Sequence, residues 1–235
     1  MTGYGQFCPI SKAMELLDER WTVLVLRELM LGSTHFNELR RGVPRMSPAL
    51  LSKRLRSLTR AGLVVRRTDR GDVRYELTEA GRELGPIIES VGAWAVRWMP
   101  DLGDADLDPH LLMWDVHRNI DLQAVPPGRT VLHFAFTDLA QSGRWWIVVD
   151  GGDVDLCDFD PGHGVDVTLT TDLRTMVRVW RGDVAWVEAM RDGRLDVAGP
   201  SQARRGVVRW LMLSPFAKVP RLPADSPAVR VAEPA

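Results

Sequence analysis

Apolar residues recur at helical spacing through most of the first hundred positions. In "CPISKAMELLD", Ile10, Ala13, Met14 and Leu17 fall on one face, and Pro9 suits a first helical turn. "RWTVLVLRELMLG" is apolar around most of its circumference, which predicts a buried helix that Gly32 ends. "HFNELRRGV" predicts a short helix with Phe36 and Leu39 inward. Pro44 then forces a turn, and Ser47 is placed to cap a helix whose first residue is Pro48. In that helix Leu51, Leu55 and Leu58 share a face, while Ala49, Ser52, Lys53, Arg56 and Arg60 lie opposite. "LVVRRT" and "VRYEL" are strand-like runs about "DRGD", which predicts a hairpin with Gly71 in its turn. Thr78 caps a predicted long helix carrying Leu84, Ile87, Ile88, Val91, Ala95 and Trp98 in one stripe, with Trp94 beside it.

After Met99 the texture changes. "PDLGDADLDP" is acidic and rich in breakers, which predicts a linker at 101–108 after a first domain of 1–100. "HLLMWDVHRNIDL" predicts a helix. "RTVLHFAF", "RWWIVVD", "DVDLCDF" and "DVTLTT" predict strands. "LRTMVRVWRG" and "AWVEAMRDG" are helical, "LDVAG" is a short strand, and "SQARRGVVRWLML" closes the run as a helix. The second domain, 109–218, is thus α+β, and the proline-rich 219–235 reads as a disordered tail. No internal repeat is evident.

Composition is that of an ordinary globular protein, 45% hydrophobic and 26% charged with a formal net charge of -1. That balance hides an asymmetry. Between Ser33 and Tyr75 stand eleven basic residues and three acidic ones, whereas the remainder holds nineteen basic and twenty-eight acidic. One segment is built to meet a polyanion. No apolar run reaches the ~20 residues of a membrane span and no leader pattern opens the chain, so the expected location is the cytoplasm.

The order helix, helix, short helix, amphipathic helix, charged hairpin, long helix is that of a winged helix-turn-helix. A B-form major groove accepts one helix whose exposed face is polar and whose first turns are slim. Ser47, Pro48, Ala49 and Ser52 are slim, and Lys53 and Arg56 follow one turn later. The hairpin's Arg66, Arg67, Arg70 and Arg74 are placed to reach the flanking backbone or minor groove, and Arg45 joins the expected DNA-binding set. Read alone, a basic amphipathic helix is a solvated surface; the preceding short helix, the hairpin and the local charge favour double-stranded DNA.

The stretches "CPISKAMELLDERWTVLVLRELMLGSTHFNELRR", "MSPALLSKRLRSLTRAGLVVRR" and "RYELTEAGRELGPIIESVGAWA" resemble the HxlR-type regulators of the MarR-like winged-helix group, over residues 7 to 99. The resemblance implies a homodimeric transcription regulator, its recognition helix spanning about 47 to 61 and its first and last helices forming the dimer contact. There are two departures. The wing is short and lacks a proline pair before its second strand, and His35 stands where an arginine commonly precedes the phenylalanine. Independently, a stripe as long and apolar as Leu84 to Trp98 predicts an interface. With Ile10 the expected dimer set is Leu84, Ile87, Ile88, Val91, Trp94, Ala95 and Trp98. A two-fold dimer predicts an inverted-repeat operator.

"TVLHFAFTD", "GRWWIVVDGGDVDLCDFDPGHGVDVTLTTDLRTMVRVWRG" and "RDGRLDVAGPSQARRGVVRWL" resemble the sterol-carrier-protein fold. That likeness implies an apolar tunnel for a small apolar effector, with Phe134, Phe136, Trp145, Met176, Trp180 and Trp210 as candidate lining; the alternative is solid core. Trp145 and Trp146 are adjacent on a strand and must face opposite ways. Cys8 at a helix start is a candidate redox residue. The aspartates from Asp150 to Asp160 lack the order of a calcium loop, and no metal, cofactor or catalytic group is expected. The leading reading is a DNA-binding regulator, a repressor, answering an apolar effector. The alternatives are redox control through Cys8 with an architectural second domain, or a lipid-binding protein or enzyme with incidental DNA affinity.

Overall fold

A computed structural model describes residues 3–99, 102–141 and 143–222, which divide into two compact units at Gly92 and Ala93. In the first, α1 (Pro9–Leu17), α2 (Thr22–Met30), α3 (Phe36–Gly42) and α4 (Pro48–Arg60) precede a two-stranded antiparallel hairpin of β1 (Val64–Asp69) and β2 (Asp72–Leu77). α5 (Glu79–Glu83) and α6 (Gly85–Trp98) follow, α6 running on past Gly92 into the second unit. This is the winged helix-turn-helix order that the hydrophobic pattern predicts. The one long helix expected after Thr78 is instead two, because Pro86 has no N–H to give the carbonyl four residues back and its ring crowds that turn.

The core of this unit is the apolar face of α4 set against α2 and α3. Leu51, Leu55 and Leu58 are buried with Val25, Leu26 and Leu39. Ser47 Oγ accepts from the Leu50 amide at 3.3 Å and satisfies one of the free donors at the start of α4. The hairpin turn is two residues long, with Arg70 at φ 47° and Gly71 at φ 92°. Two consecutive left-handed residues match the twist of the strands they join.

In the second unit, α7 (Pro109–Arg118) is followed by β3 (Thr130–Phe136), β4 (Arg144–Asp150), β5 (Asp153–Cys157) and β6 (Val167–Thr171). Then come α8 (Leu173–Arg181), α9 (Trp186–Arg191), β7 (Leu195–Ala198) and α10 (Ser201–Trp210). The sheet order is β5-β4-β3-β6-β7, with β3 and β6 parallel and the other pairs antiparallel. It is the α+β arrangement the sequence predicts. Alternation puts Trp145 into the main core with Leu132, Phe134 and Ile147. Trp146 lies in a second cluster with Val131 and Val148, stacked on His133 at 4.7 Å between centroids.

The boundaries differ from those the composition suggests. Residues 102–108 are part of the second unit: Arg174 donates to the Leu102 carbonyl at 2.9 Å and pairs with Asp104, and Leu107 packs on the core. Residues 219–222, expected in the tail, are tied down by Arg221, whose Nε donates to Asp183 at 2.6 Å. The rest of the expected tail, 223–235, lies outside the described residues. Among the described residues no helix is long and apolar enough to cross a membrane.

Candidate nucleic-acid interface

Burying the leucine face of α4 leaves the opposite face bare. Ser47, Pro48, Ala49, Lys53 and Arg56 are exposed, and Ser52 is half-buried beside them. The small residues occupy the first turns, so backbone can come close to base edges, and the cations stand one to two turns further along. Arg45, Arg66, Arg67, Arg70 and Arg74 are exposed as well. Two of the wing arginines already have partners: Arg67 Nε lies 2.7 Å from Glu76 and Arg74 Nε 2.7 Å from Asp72. To reach phosphate they must exchange a carboxylate for it, whereas Arg66 donates to the Thr68 hydroxyl at 3.1 Å. Exposed pairs of this kind are worth ~0–1 kcal/mol, so the exchange is cheap.

Arg54, one of the eleven basic residues of the segment, is not on this face. It is buried at 5% exposure, pairs with Glu19 and donates to the Arg20 carbonyl at 3.2 Å. Its position fits its spacing, three residues after Leu51 and four before Leu58. The segment's positive excess at the surface is therefore smaller than a count of residues implies.

Between α4 and the wing runs a groove of about 500 Å³ lined by Ser52, Arg56, Thr59, Arg60, Arg66 and Tyr75. Thr59 and Tyr75 are additions to the residues singled out from sequence, and Arg60, read there on the polar face of the helix, joins the site with them. Arg60 continues the exposed face one turn past Arg56. Tyr75 enters because it stands opposite Arg66 in the hairpin register, a pairing that the turn sets. Three guanidinium groups and three hydroxyls around one groove make a ready cradle for phosphate oxygens.

The expected dimer set splits in two. Leu84 and Ile88 turn inward and pack on the domain core. Ile87, Val91 and Trp94, at i, i+4 and i+7 on α6, are 56%, 57% and 52% exposed, and Ile10 on α1 is 71% exposed. Ala95 and Trp98 are half-buried. Cys8 occupies the N-cap position of α1 and is half-buried; the backbone N–H groups of Ser11 and Ile10 hold its thiol below the usual range.

Phe134, Phe136, Trp145, Met176, Trp180 and Trp210, the proposed tunnel lining, all belong to one packed core. Large aromatics bury well in a sheet–helix core, which is why spacing alone does not separate lining from filling. Phe136 also borders a surface groove of about 440 Å³ with Leu139, Arg144 and Asp158. Among the described residues no cluster of three or more His, Cys, Asp or Glu could hold a metal ion.

Comparison with known proteins places the first unit. The model of the HxlR-like helix-turn-helix family matches residues 16–102. Over 99 residues the chain is 34% identical to the uncharacterized HTH-type transcriptional regulator YvaP of Bacillus subtilis, a match over 40% of this chain and 92% of that protein. It is 41% identical over 96 residues to the uncharacterized HTH-type transcriptional regulator Rv3095 of Mycobacterium tuberculosis, covering 39% of this chain and 59% of that one. The solved structure of the reduced form of the transcriptional regulator YodB from B. subtilis is 33% identical, covers 38% of this chain and 92% of that chain, and has a TM-score of 0.35.

Proposed function

Because the chain belongs to the HxlR-like helix-turn-helix family and is a transcriptional regulator with a helix-turn-helix DNA-binding domain, we propose that it acts as a homodimer on an inverted-repeat operator and represses. The observation that carries the dimer is the row Ile87, Val91 and Trp94, exposed along one side of α6. Three large apolar side chains at helical spacing, open to water, mark a contact surface. A two-fold contact presents two copies of α4, and the operator then repeats with inverted symmetry about one helical turn apart. A dimer seated across both half-sites excludes polymerase from the duplex without any further contact, which makes repression the simpler outcome. Under the same reading a small apolar effector, held among the aromatic and methionine residues of the second unit's core cluster, modulates DNA binding.

Within this reading Arg56 reads a base. Substituting Arg56→Ala should cost roughly 1–3 kcal/mol of DNA affinity and relax discrimination at one operator position. Binding of operator variants by titration calorimetry checks it; an equal loss on every sequence would reduce Arg56 to a phosphate contact.

Thiol control is the second reading, favoured by the position of Cys8 at the start of α1. Cys8 stands at a helix start, and the pull of the Ser11 and Ile10 N–H groups lowers its thiol below the usual range, which favours thiolate, the reactive form. Under it, diamide releases the wild-type protein from DNA and leaves Cys8→Ser bound; equal release of both proteins would remove it.

Selection of bound duplexes from a random pool tests the function itself. The recovered sequences should share two inverted half-sites. A pool with no enriched sequence would contradict operator recognition.

A further inference from the structure

One imidazole ties the wing to the helix-turn-helix. His35 directly precedes α3, and the chain at 34–35 runs beside β2: the Tyr75 amide donates to the Thr34 carbonyl at 2.8 Å, and His35 bridges Arg74. The ring has a carboxylate at each nitrogen. Nδ1 lies 3.2 Å from Glu38 Oε1 on α3, and Nε2 lies 3.2 Å from Asp72 Oδ1 at the start of β2. The Thr34 hydroxyl is 3.1 Å from Nδ1.

Both carboxylates are held as acceptors. Glu38 Oε2 receives the Thr34 and His35 amides at 2.7 and 2.9 Å, and Asp72 Oδ2 receives Arg74 Nε at 2.7 Å. Burial pushes the Glu38 carboxyl up, but those amides and the imidazole outweigh it and hold it below the usual range. Arg74, and behind it His35, do the same for Asp72. Both therefore stay ionised.

A neutral imidazole has one N–H and can donate to only one of the two; its other nitrogen turns a lone pair on an anion. The protonated ring donates to both. Charge follows the same direction. With the ring neutral, Glu38, Asp72 and Arg74 leave one net negative charge beside the wing, and with it protonated, none. Glu76 also acts on Arg74 but is itself paired with Arg67.

We propose that His35 is a positioning residue for the wing, and that its protonation tightens DNA binding by closing the Glu38–His35–Asp72 bridge and loosening the hold of Asp72 on Arg74. This rests on the DNA-binding reading of the same surface. The sign is fixed by the partners: the added contact is present when the ring is charged and absent when it is neutral, so affinity falls from mildly acid to mildly alkaline solution.

The test is affinity of the full chain for a fluorescent, mixed-sequence duplex across that pH range at constant ionic strength. Wild type should lose about two- to fivefold in affinity as pH rises, the scale of a half-exposed charge pair. His35→Arg keeps its charge and should bind tightly with a flat profile. His35→Gln can make only one of the two contacts and should bind weakly, also with a flat profile. The His35 side chain is 35% exposed, so both variants should fold, which circular dichroism checks. A wild-type-like pH profile in His35→Gln, or a flat one in wild type that still binds, overturns the inference and leaves DNA binding intact. No binding at any pH would overturn both.

Discussion

Val91→Asp should turn the protein into a monomer and cut its affinity for an inverted-repeat duplex by about a hundredfold or more. Val91 sits at the centre of the exposed α6 row, between Ile87 and Trp94, and is 57% exposed in the single chain. In a dimer formed through that row the new carboxylate would be taken out of water with no cation among its neighbours on the row, which costs several kcal/mol. Two half-sites linked through a dimer act at a high effective concentration of the second, and avidity of that kind is worth ~10²–10⁴ in affinity. All of that goes with the dimer. Stability of the single chain should barely move, within about 0.5 kcal/mol, because the position is exposed there. Sedimentation velocity separates the outcomes: a slower, lighter species with an unchanged melting profile is expected, and an unchanged dimer would move the contact elsewhere.

Leu55→Ala should destabilise the first unit by about 2–5 kcal/mol, a large part of the ~5–15 kcal/mol that holds a domain together. Leu55 is 1% exposed, in the middle of the α4 face that packs on α2 and α3. Truncation removes three carbons from a site whose neighbours, Leu51 and Leu58, are themselves locked in place, so the cavity cannot close fully. Hydrogen exchange of α2 and α4 amides measures the loss in the intact chain. Leu24→Ala on α2, at 38% exposure, is the comparison and should cost less than about 1 kcal/mol. Equal effects at the two positions would mean that the α4 face is not the core of the unit.

These two residues also show what was legible in the chain. Leu55 and Val91 are visible because helical periodicity is local: three or four residues on, the next side chain is on the same face. The cap at Ser47, the hairpin turn at Gly71 and the opposed faces of Trp145 and Trp146 are legible for the same reason. Arg54 was legible in part, since its spacing puts it among the leucines, but Glu19 is 35 positions away and no pattern connects them. The link from His35 to Asp72, 37 positions apart, is of the same kind. Tyr75 joins the groove only once the hairpin register is fixed. For the aromatic residues of the second unit the chain leaves the choice open, because composition and spacing are the same for a side chain that lines a space and one that fills it.

The central claim is that two copies of α4, joined through α6, read one operator. Native mass spectrometry of the protein on a duplex bearing both half-sites measures it directly. The account predicts two chains per duplex as the dominant complex, with no single-chain intermediate at limiting protein. One chain per duplex at the same affinity would contradict it.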